Sequence, residues 1–170
     1  YMNNGSLSDG DRCVFQAGFD YQNATTHLDT IGYVSIQNTG NASDFGNLSQ
    51  ARRGTTSSND STRGLVVGGE PSATTGSNRI DYVTIQTTGN ATDFGDLTAG
   101  SKTGVGIANA TRGIAYLGNS PAPTSSNVMN YVTMATTGTA QDFGDNDIAK
   151  GANGAGCGSP TRGIIADGDS

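Results

Sequence analysis

Apolar residues occur along this chain in short clusters that are separated by polar and glycine-rich stretches. Leu65, Val66 and Val67 form one such cluster. In residues 80–86 the pattern alternates, so that Ile80 and Tyr82 would face one side of a strand, and Val83 and Ile85 the other. A period of two residues is typical of β-strands, and helical periodicity is not evident. The pattern therefore predicts an all-β protein built from short strands.

The strongest feature of the sequence is an internal repeat with a period close to 49 residues. Tyr33, Tyr82 and Tyr131 are equally spaced, and an Asp-Phe-Gly triplet recurs with the same spacing from Asp44. A repeated arginine follows spacings of 51, 49 and 50 residues. The members of the arginine set are Arg12, Arg63, Arg112 and Arg162. Spacing this regular indicates tandem copies of one structural unit.

Each unit contains the signals for four short strands. In the second copy they are a small-residue stretch at 54–59, then segments 63–67, 80–86 and 92–97. Polar loops rich in Gly, Pro, Ser, Thr and Asn separate them, as turn formation requires. We expect four-stranded antiparallel sheets that stack on their neighbours, with the glycine-rich first strands at a crowded centre.

Four strands in a unit of this length are typical of a β-propeller blade. The predicted blades cover residues 1–50, 51–98 and 99–147, and a half blade covers 148–170. Because three and a half blades cannot close a ring, we expect this chain to be part of a longer polypeptide, or to be completed by other chains in an oligomer.

The order of residues in the second copy resembles the kelch blade. It runs from Arg63 and Gly64 through the double glycine Gly68–Gly69 to the tyrosine Tyr82 and on to a final aromatic residue. The double glycine is complete only in this copy, and phenylalanine stands where kelch blades have tryptophan. The resemblance implies a kelch-like β-propeller.

A second resemblance covers the segment from Tyr82 to Thr98. Its near-identical repetition is similar to repeats in fibre and appendage proteins of marine phages and related viruses. This resemblance implies a non-enzymatic virion or extracellular protein for structure or adhesion, such as a tail-fibre propeller. Its partners would be copies of itself, other appendage proteins, or host glycans bound by the variable loops 70–78 and 119–127.

Charge and composition narrow these expectations. The net charge is −6, and the basic residues are scattered rather than gathered into the stripe that nucleic-acid binding requires. No apolar run approaches the roughly 20 residues that span a bilayer. We therefore expect neither a nucleic-acid partner nor a membrane span.

The four repeated arginines are the first candidates for a binding site, because guanidinium groups can bind carboxylates of an acidic sugar in a bidentate manner. A residue present in every repeat is more often structural. The alternative is that each guanidinium bridges backbone carbonyls or an aspartate of the next blade.

Acidic residues offer a second candidate. Asp142, Asp145 and Asp147 lie close together in sequence, and hard oxygen ligands can hold calcium, although no complete calcium-loop pattern is present. The repeated Asp-Phe-Gly resembles a magnesium-binding signature of protein kinases, but its threefold occurrence indicates a structural role. We expect its aspartates to cap turns and its phenylalanines to fill the layer between blades.

No catalytic residues and no cofactor are predicted. His27 is the single histidine, expected in an exposed loop, and the two cysteines, Cys13 and Cys157, fall at non-equivalent repeat positions. Two alternatives to the appendage function stay open. One is a cellular kelch-type protein-interaction module, and the other is a scaffold propeller of a larger enzyme whose active site lies in other sequence.

Overall fold

The computed structural model describes residues 5–20, 22, 26–72, 75–120, 124–151 and 154–166. These residues form fourteen strands, and none of them lies in a helix. The strands of sheet 1 are β1 (Ser6–Ser8), β2 (Arg12–Asp20), β3 (Thr26–Ser35) and β4 (Ser43–Asn47). Those of sheet 2 are β5 (Thr56–Asn59), β6 (Arg63–Val67), β7 (Ser77–Thr84) and β8 (Thr92–Ser101).

Sheet 3 repeats the pattern, and sheet 4 has two strands. Sheet 3 comprises β9 (Val105–Ala108), β10 (Arg112–Tyr116), β11 (Ser126–Thr133) and β12 (Gln141–Lys150). Sheet 4 comprises β13 (Ala155–Gly158) and β14 (Gly163–Ala166). Strands within each sheet follow chain order and pair antiparallel, which confirms the predicted all-β class and the four-stranded antiparallel sheets. Closure of the sheets into a ring is not observed among the described residues.

The tight connection between the first and second strands of each sheet is made by a side-chain cap. In sheet 2 the carboxylate of Asp60 accepts hydrogen bonds from the amides of Thr62 and Arg63. The side chains of Asp9, Asn109 and Ser159 accept the equivalent amides in the other sheets. Short polar side chains favour such turns because they satisfy the backbone locally.

The third strand confirms the predicted alternation of side chains. Ile80 packs with Tyr82 in the core between sheets 2 and 3, whereas Val83 and Ile85 pack in the core between sheets 1 and 2. The strand itself begins at Ser77 and ends at Thr84, because Ile85 already enters the following turn. The outer strand β8 continues past the predicted residue 97 to Ser101, which pairs with Ser77.

Two hydrophobic cores lie between the sheets. We call the contact of sheets 1 and 2 the first junction and that of sheets 2 and 3 the second junction. The first contains Leu7, Val14, Ile31, Phe45, Leu48, Val66, Val83 and Ile85. The second contains Leu65, Val67, Ile80, Phe94, Leu97, Ala115, Leu117, Val132, Met134 and Ala140. Sheet 2 thus buries its two faces against different neighbours, as stacked repeats do.

The first strands approach one another closely, since β1 contacts β5, β5 contacts β9, and β9 contacts β13. A Cβ atom added to Gly106 would collide with the carbonyl oxygen of Ser57 in the neighbouring sheet. Only glycine fits there, which confirms the predicted crowding of the glycine-rich first strands.

Candidate functional site

The repeated arginine, tyrosine and phenylalanine of each four-stranded sheet form a stack that we call the triad. The guanidinium of Arg63 lies 4.6 Å from the ring centroid of Tyr82, whose ring meets Phe94 edge-on at 6.0 Å. The triads of the other two sheets have the same geometry, with guanidinium–tyrosine distances of 4.5 Å. They consist of Arg12, Tyr33 and Phe45 in sheet 1 and of Arg112, Tyr131 and Phe143 in sheet 3. Cation–π contact thus fixes each arginine against its own sheet.

Each triad arginine that has a complete sheet beside it also reaches across the junction. Arg12 donates a hydrogen bond of 2.9 Å to the carbonyl of Ile85, and Arg63 donates one of 2.6 Å to the carbonyl of Met134. These bonds agree with the carbonyl-bridging alternative for the repeated arginines. Arg112 and Arg162 both line the groove between sheets 3 and 4. Ligand binding by the four arginines stays a prediction.

The Asp-Phe-Gly triplet forms a β-bulge in the outer strand rather than a turn. In sheet 2 the pairing register shifts between Ile80 and Asp81, opposite Phe94, and Gly95 has a φ of +147°. The same shift occurs in the other two sheets. The phenylalanine is the extra, unpaired residue of the bulge, and in sheets 1 and 2 its side chain is buried in the junction. The prediction that the aspartates cap turns is therefore wrong for Asp44 and Asp93, whereas their phenylalanines are buried as predicted.

The bulge glycine receives the turn of the next sheet. A Cβ atom on Gly46 would collide with the carbonyl of Gly89, and one on Gly95 would collide with that of Gly138. The amide of Gly89 donates to Phe45 at 2.7 Å, and the amide of Gly138 donates to Phe94 at 2.8 Å. Backbone hydrogen bonds and close approach therefore make the Thr-Thr-Gly turn and the Asp-Phe-Gly bulge complementary surfaces.

A polar layer in the first junction contains a buried ion pair. Arg52 and Asp81 are 3.0 Å apart, and both side chains are 0% exposed. Asp81 also accepts hydrogen bonds from the amide and hydroxyl of Ser49, and Arg52 donates to the carbonyl of Val66. Burial lowers the pKa of Arg52, and the charge of Asp81 acts in the opposite direction. Arginine nevertheless stays protonated in proteins, so the pair is charged.

The second junction holds a neutral version of this layer. Asn130 lies 49 residues after Asp81, and its side-chain oxygen accepts bonds of 2.9 Å from the amide and hydroxyl of Thr98. Ser101 takes the place of Arg52 and donates to the carbonyl of Leu117. The two hydrogen bonds to the side-chain acceptor of the third strand are kept, but the ion pair has no counterpart, since Ser101 bonds a different carbonyl and the side-chain nitrogen of Asn130 has no partner among the described residues.

Three further charged side chains meet near the end of β6, the second strand of sheet 2. Glu70 contacts Arg53 at 2.6 Å and Lys102 at 3.2 Å. Burial by itself would raise the pKa of Glu70, but hydrogen bonds from Arg53 and Lys102 outweigh it, and the pKa lies below its ordinary value. This cluster links sheet 2 to the segments that enter and leave it.

The acidic candidates for a metal site lie on the exposed outer strand β12. Asp142, Asp145 and Asp147 are all exposed, and Asp142 accepts a bond from the amide of Gly144. Within the described ranges, no three His, Cys, Asp or Glu side chains are grouped closely enough to hold a metal ion.

His27 is in strand β3 and not in an exposed loop as expected, because its segment pairs with β2 opposite Phe19. The ring is half-buried and meets that of Phe19 edge-on at 5.2 Å. Burial, together with the nearby charge of Arg53, lowers its pKa below the ordinary value of 6.5. Cys13 and Cys157 are unpaired and lie in different sheets.

The polar layer was not identified from the sequence. The sequence does contain a signal for it, however, because Ser49, Arg52 and Asp81 each have an uncharged equivalent 49 residues later. These equivalents are Thr98, Ser101 and Asn130. Both charges of the pair are replaced in the same copy, as expected for two charged residues that compensate each other.

The described residues contain no helix that is both long and apolar enough to cross a membrane. No protein-family model matches the chain. No curated protein is significantly similar to it either.

Proposed function

We propose that this chain is a non-enzymatic structural or adhesion protein of a virion or extracellular appendage, in which the sheets serve as the blades of a kelch-like propeller. The observation that carries the proposal is the use of the repeated residues. At both junctions the arginine, tyrosine, phenylalanine and glycine that recur in every copy are used to join one sheet to the next. Residues that are repeated for assembly indicate an architectural role.

The junction geometry supports a rigid scaffold. The triad distances in the two junctions agree within 0.1 Å, at 4.5 Å and 4.6 Å from guanidinium to tyrosine, and backbone bonds join each neighbouring turn. A scaffold of this kind can carry variable loops that differ between copies, which is where binding residues usually lie.

Glycan recognition is the adhesive part of the proposal. In loop 70–78 the hydroxyls of Ser72 and Thr75 lie 2.6 Å apart on the surface, and hydroxyls can hydrogen-bond to sugars. Glu70 is occupied by its two cationic partners. Residues 73–74 of this loop and 121–123 of loop 119–127 lie outside the described residues.

The location of the protein tests the appendage proposal. An antibody raised against the purified chain should label particles or fibres in the extracellular fraction of the source culture, by immunogold electron microscopy. Labelling confined to the cell interior would reject the proposal. A glycan array tests adhesion separately, with Ser72→Ala/Thr75→Ala as the loop variant and Ser43→Ala as an exposed control. Binding that both proteins share, or no binding, would reject the glycan assignment to this loop.

A cellular interaction module is the second candidate. The large hydrophobic side chains of Phe143, Ile148 and Ile164 are 43%, 54% and 58% exposed in the last two sheets. Phe143 lines the groove between sheets 3 and 4, and an exposed apolar surface favours a protein partner. Cytosolic location of the protein, with a co-purifying partner lost on Phe143→Ser, would support this candidate over the appendage function.

A further inference from the structure

The third sheet carries a complete triad whose outer surface is uncovered. Phe143 is 43% exposed, whereas its counterparts Phe45 and Phe94 are 3% and 2% exposed. Its ring meets that of Tyr131 edge-on at 6.1 Å, as the equivalent rings do in the first and second junctions. We call these two the filled junctions, because a neighbouring sheet covers the phenylalanine in each. A Cβ atom on Gly144 would meet nothing within 4 Å, although the equivalent glycines receive a turn. The surface therefore has the geometry of the two junctions, and within the described part of the chain its outer half is not covered.

Sheet 4 covers only the inner half of this face. Strand β13 packs against β9, and a groove remains between the two sheets. The groove is lined on one side by Arg112, Ile114 and Phe143, and on the other by Arg162 and Gly163. A complete four-stranded sheet of a second copy would overlap sheet 4. The free space therefore fits two strands and not four.

The filled junctions indicate what those two strands contain. In the second junction the outer hairpin of sheet 3 supplies Val132, Met134 and Ala140 to the core. It also supplies the turn at Gly138 and the carbonyl of Met134 that accepts the bond from Arg63. The outer hairpin of sheet 2 carries Val83, Ile85, Gly89 and Ala91 at the same positions.

The edge of β14 provides the second half of the recognition. In complete sheets the second strand pairs antiparallel with the third, as Gly64 pairs with Val83 and Gly113 with Val132. Strand β14 pairs only with β13 within the described residues. An edge with free backbone donors and acceptors is a template for strand addition.

We propose that the groove formed by Phe143, Arg112 and the edge of β14 binds a β-hairpin with the pattern Val-Thr-(Ile/Met)-x-Thr-Thr-Gly-x-Ala. The first strand of the hairpin adds to β14 and its apolar residues cover Phe143. Its turn glycine docks on the bulge at Gly144, and the carbonyl of its Ile or Met accepts a hydrogen bond from Arg112. This inference goes beyond the proposed function and rests only on the two filled junctions.

A peptide of residues 121–150 carries the required pattern and serves as the probe. A fluorescently labelled peptide should bind the 170-residue chain saturably, as measured by fluorescence anisotropy. Phe143→Ser should weaken binding by about tenfold or more, since a central aromatic side chain is typical of a binding hot spot. Phe15→Ser is the matched control, because Phe15 is 49% exposed on the first sheet and should leave binding unchanged.

If the peptide aggregates or folds poorly by itself, a variant in which the peptide is fused to the chain tests the same groove. Residues 121–150 appended after Ser170 would follow β14 at the same distance along the chain as β11 follows β10. The fusion should raise the melting temperature, and Phe143→Ser should abolish the gain whereas Phe15→Ser should not. A gain that is absent, or that is insensitive to Phe143, would overturn the proposal.

A second copy of the chain is the competing occupant. Sedimentation equilibrium of the unmodified chain, with and without the peptide, distinguishes the two. Dimers that are broken by Phe143→Ser but not displaced by the peptide would mean that the groove binds a whole chain, which would also overturn the proposal. Displacement of any dimer by the peptide would support it.

Discussion

The first and second junctions join their sheets by the same frame but have different polar layers. Both contain a triad whose arginine bonds to a carbonyl across the junction, and both dock a turn glycine on a bulge. The first adds a buried pair of Arg52 and Asp81, where the second has Ser101 and Asn130. The frame is therefore common to both junctions, whereas the polar layer varies and keeps only the two hydrogen bonds to the acceptor at Asp81 or Asn130.

The frame should have the largest effect on stability. Phe45→Ala and Phe94→Ala should each reduce the free energy of unfolding by about 3–5 kcal/mol, because each opens a cavity in a junction core. Phe143→Ala should cost less than about 1 kcal/mol, since that side chain is already exposed. Urea denaturation followed by circular dichroism measures all three. Similar losses for all three variants would contradict the distinction between filled and open faces.

The charged layer should respond more strongly than the neutral layer when one partner is removed. Asp81→Ala leaves Arg52 buried without its counter-ion and should cost about 3–5 kcal/mol. Asn130→Ala, the matched change in the second junction, removes a neutral acceptor and should cost about 1–3 kcal/mol. Equal losses of unfolding free energy in the two variants, measured by the same denaturation experiment, would contradict a larger effect of the charged layer.

Converting the first layer into the second should recover much of that loss. The double variant Arg52→Ser/Asp81→Asn removes both charges together, so no buried charge is left unpaired. Its free energy of unfolding should exceed that of Asp81→Ala by about 1–3 kcal/mol, as strong coupling between contacting residues predicts. A double variant that is less stable than Asp81→Ala would show that the volume of Arg52 matters more than its charge.

The smallest effect on stability should come from lowering the pH until Glu70 is protonated. The pKa of Glu70 is below its ordinary value of 4.5 in the folded chain. Its ion pairs therefore add stability that is fully present above pH 4.5 and is lost as the pH falls through the lowered value. Melting temperatures recorded between about pH 6 and pH 3 should fall less steeply for Glu70→Gln than for the unmodified chain. Parallel curves would contradict a role for Glu70 in acid sensitivity.

The repeat and its strands could be predicted from the sequence because each depends on local or regularly spaced residues. Alternation of Ile80 and Tyr82 with Val83 and Ile85 is a local signal, and the structure confirms it. The bulge at Phe94, inside the strand predicted for residues 92–97, could not be predicted because a bulge depends on strand pairing, which local sequence does not specify.

The polar layer was missed for a similar reason. Arg52 and Asp81 are 29 residues apart and meet only when sheets 1 and 2 stack. Charged residues are rarely buried, so the sequence by itself favours an exposed position for both. Comparison of aligned copies, rather than inspection of one copy, is what reveals the exchange of charged for neutral partners.

Amide hydrogen exchange at the three turn glycines tests whether the contact between turn and bulge joins neighbouring sheets. Gly89 and Gly138 donate to the preceding sheet, whereas Gly40, at the same position in sheet 1, has no sheet before it in the described part of the chain. NMR-detected exchange should show strong protection of Gly89 and Gly138 and rapid exchange of Gly40. Rapid exchange at all three glycines would show that the contact between turn and bulge does not hold neighbouring sheets together.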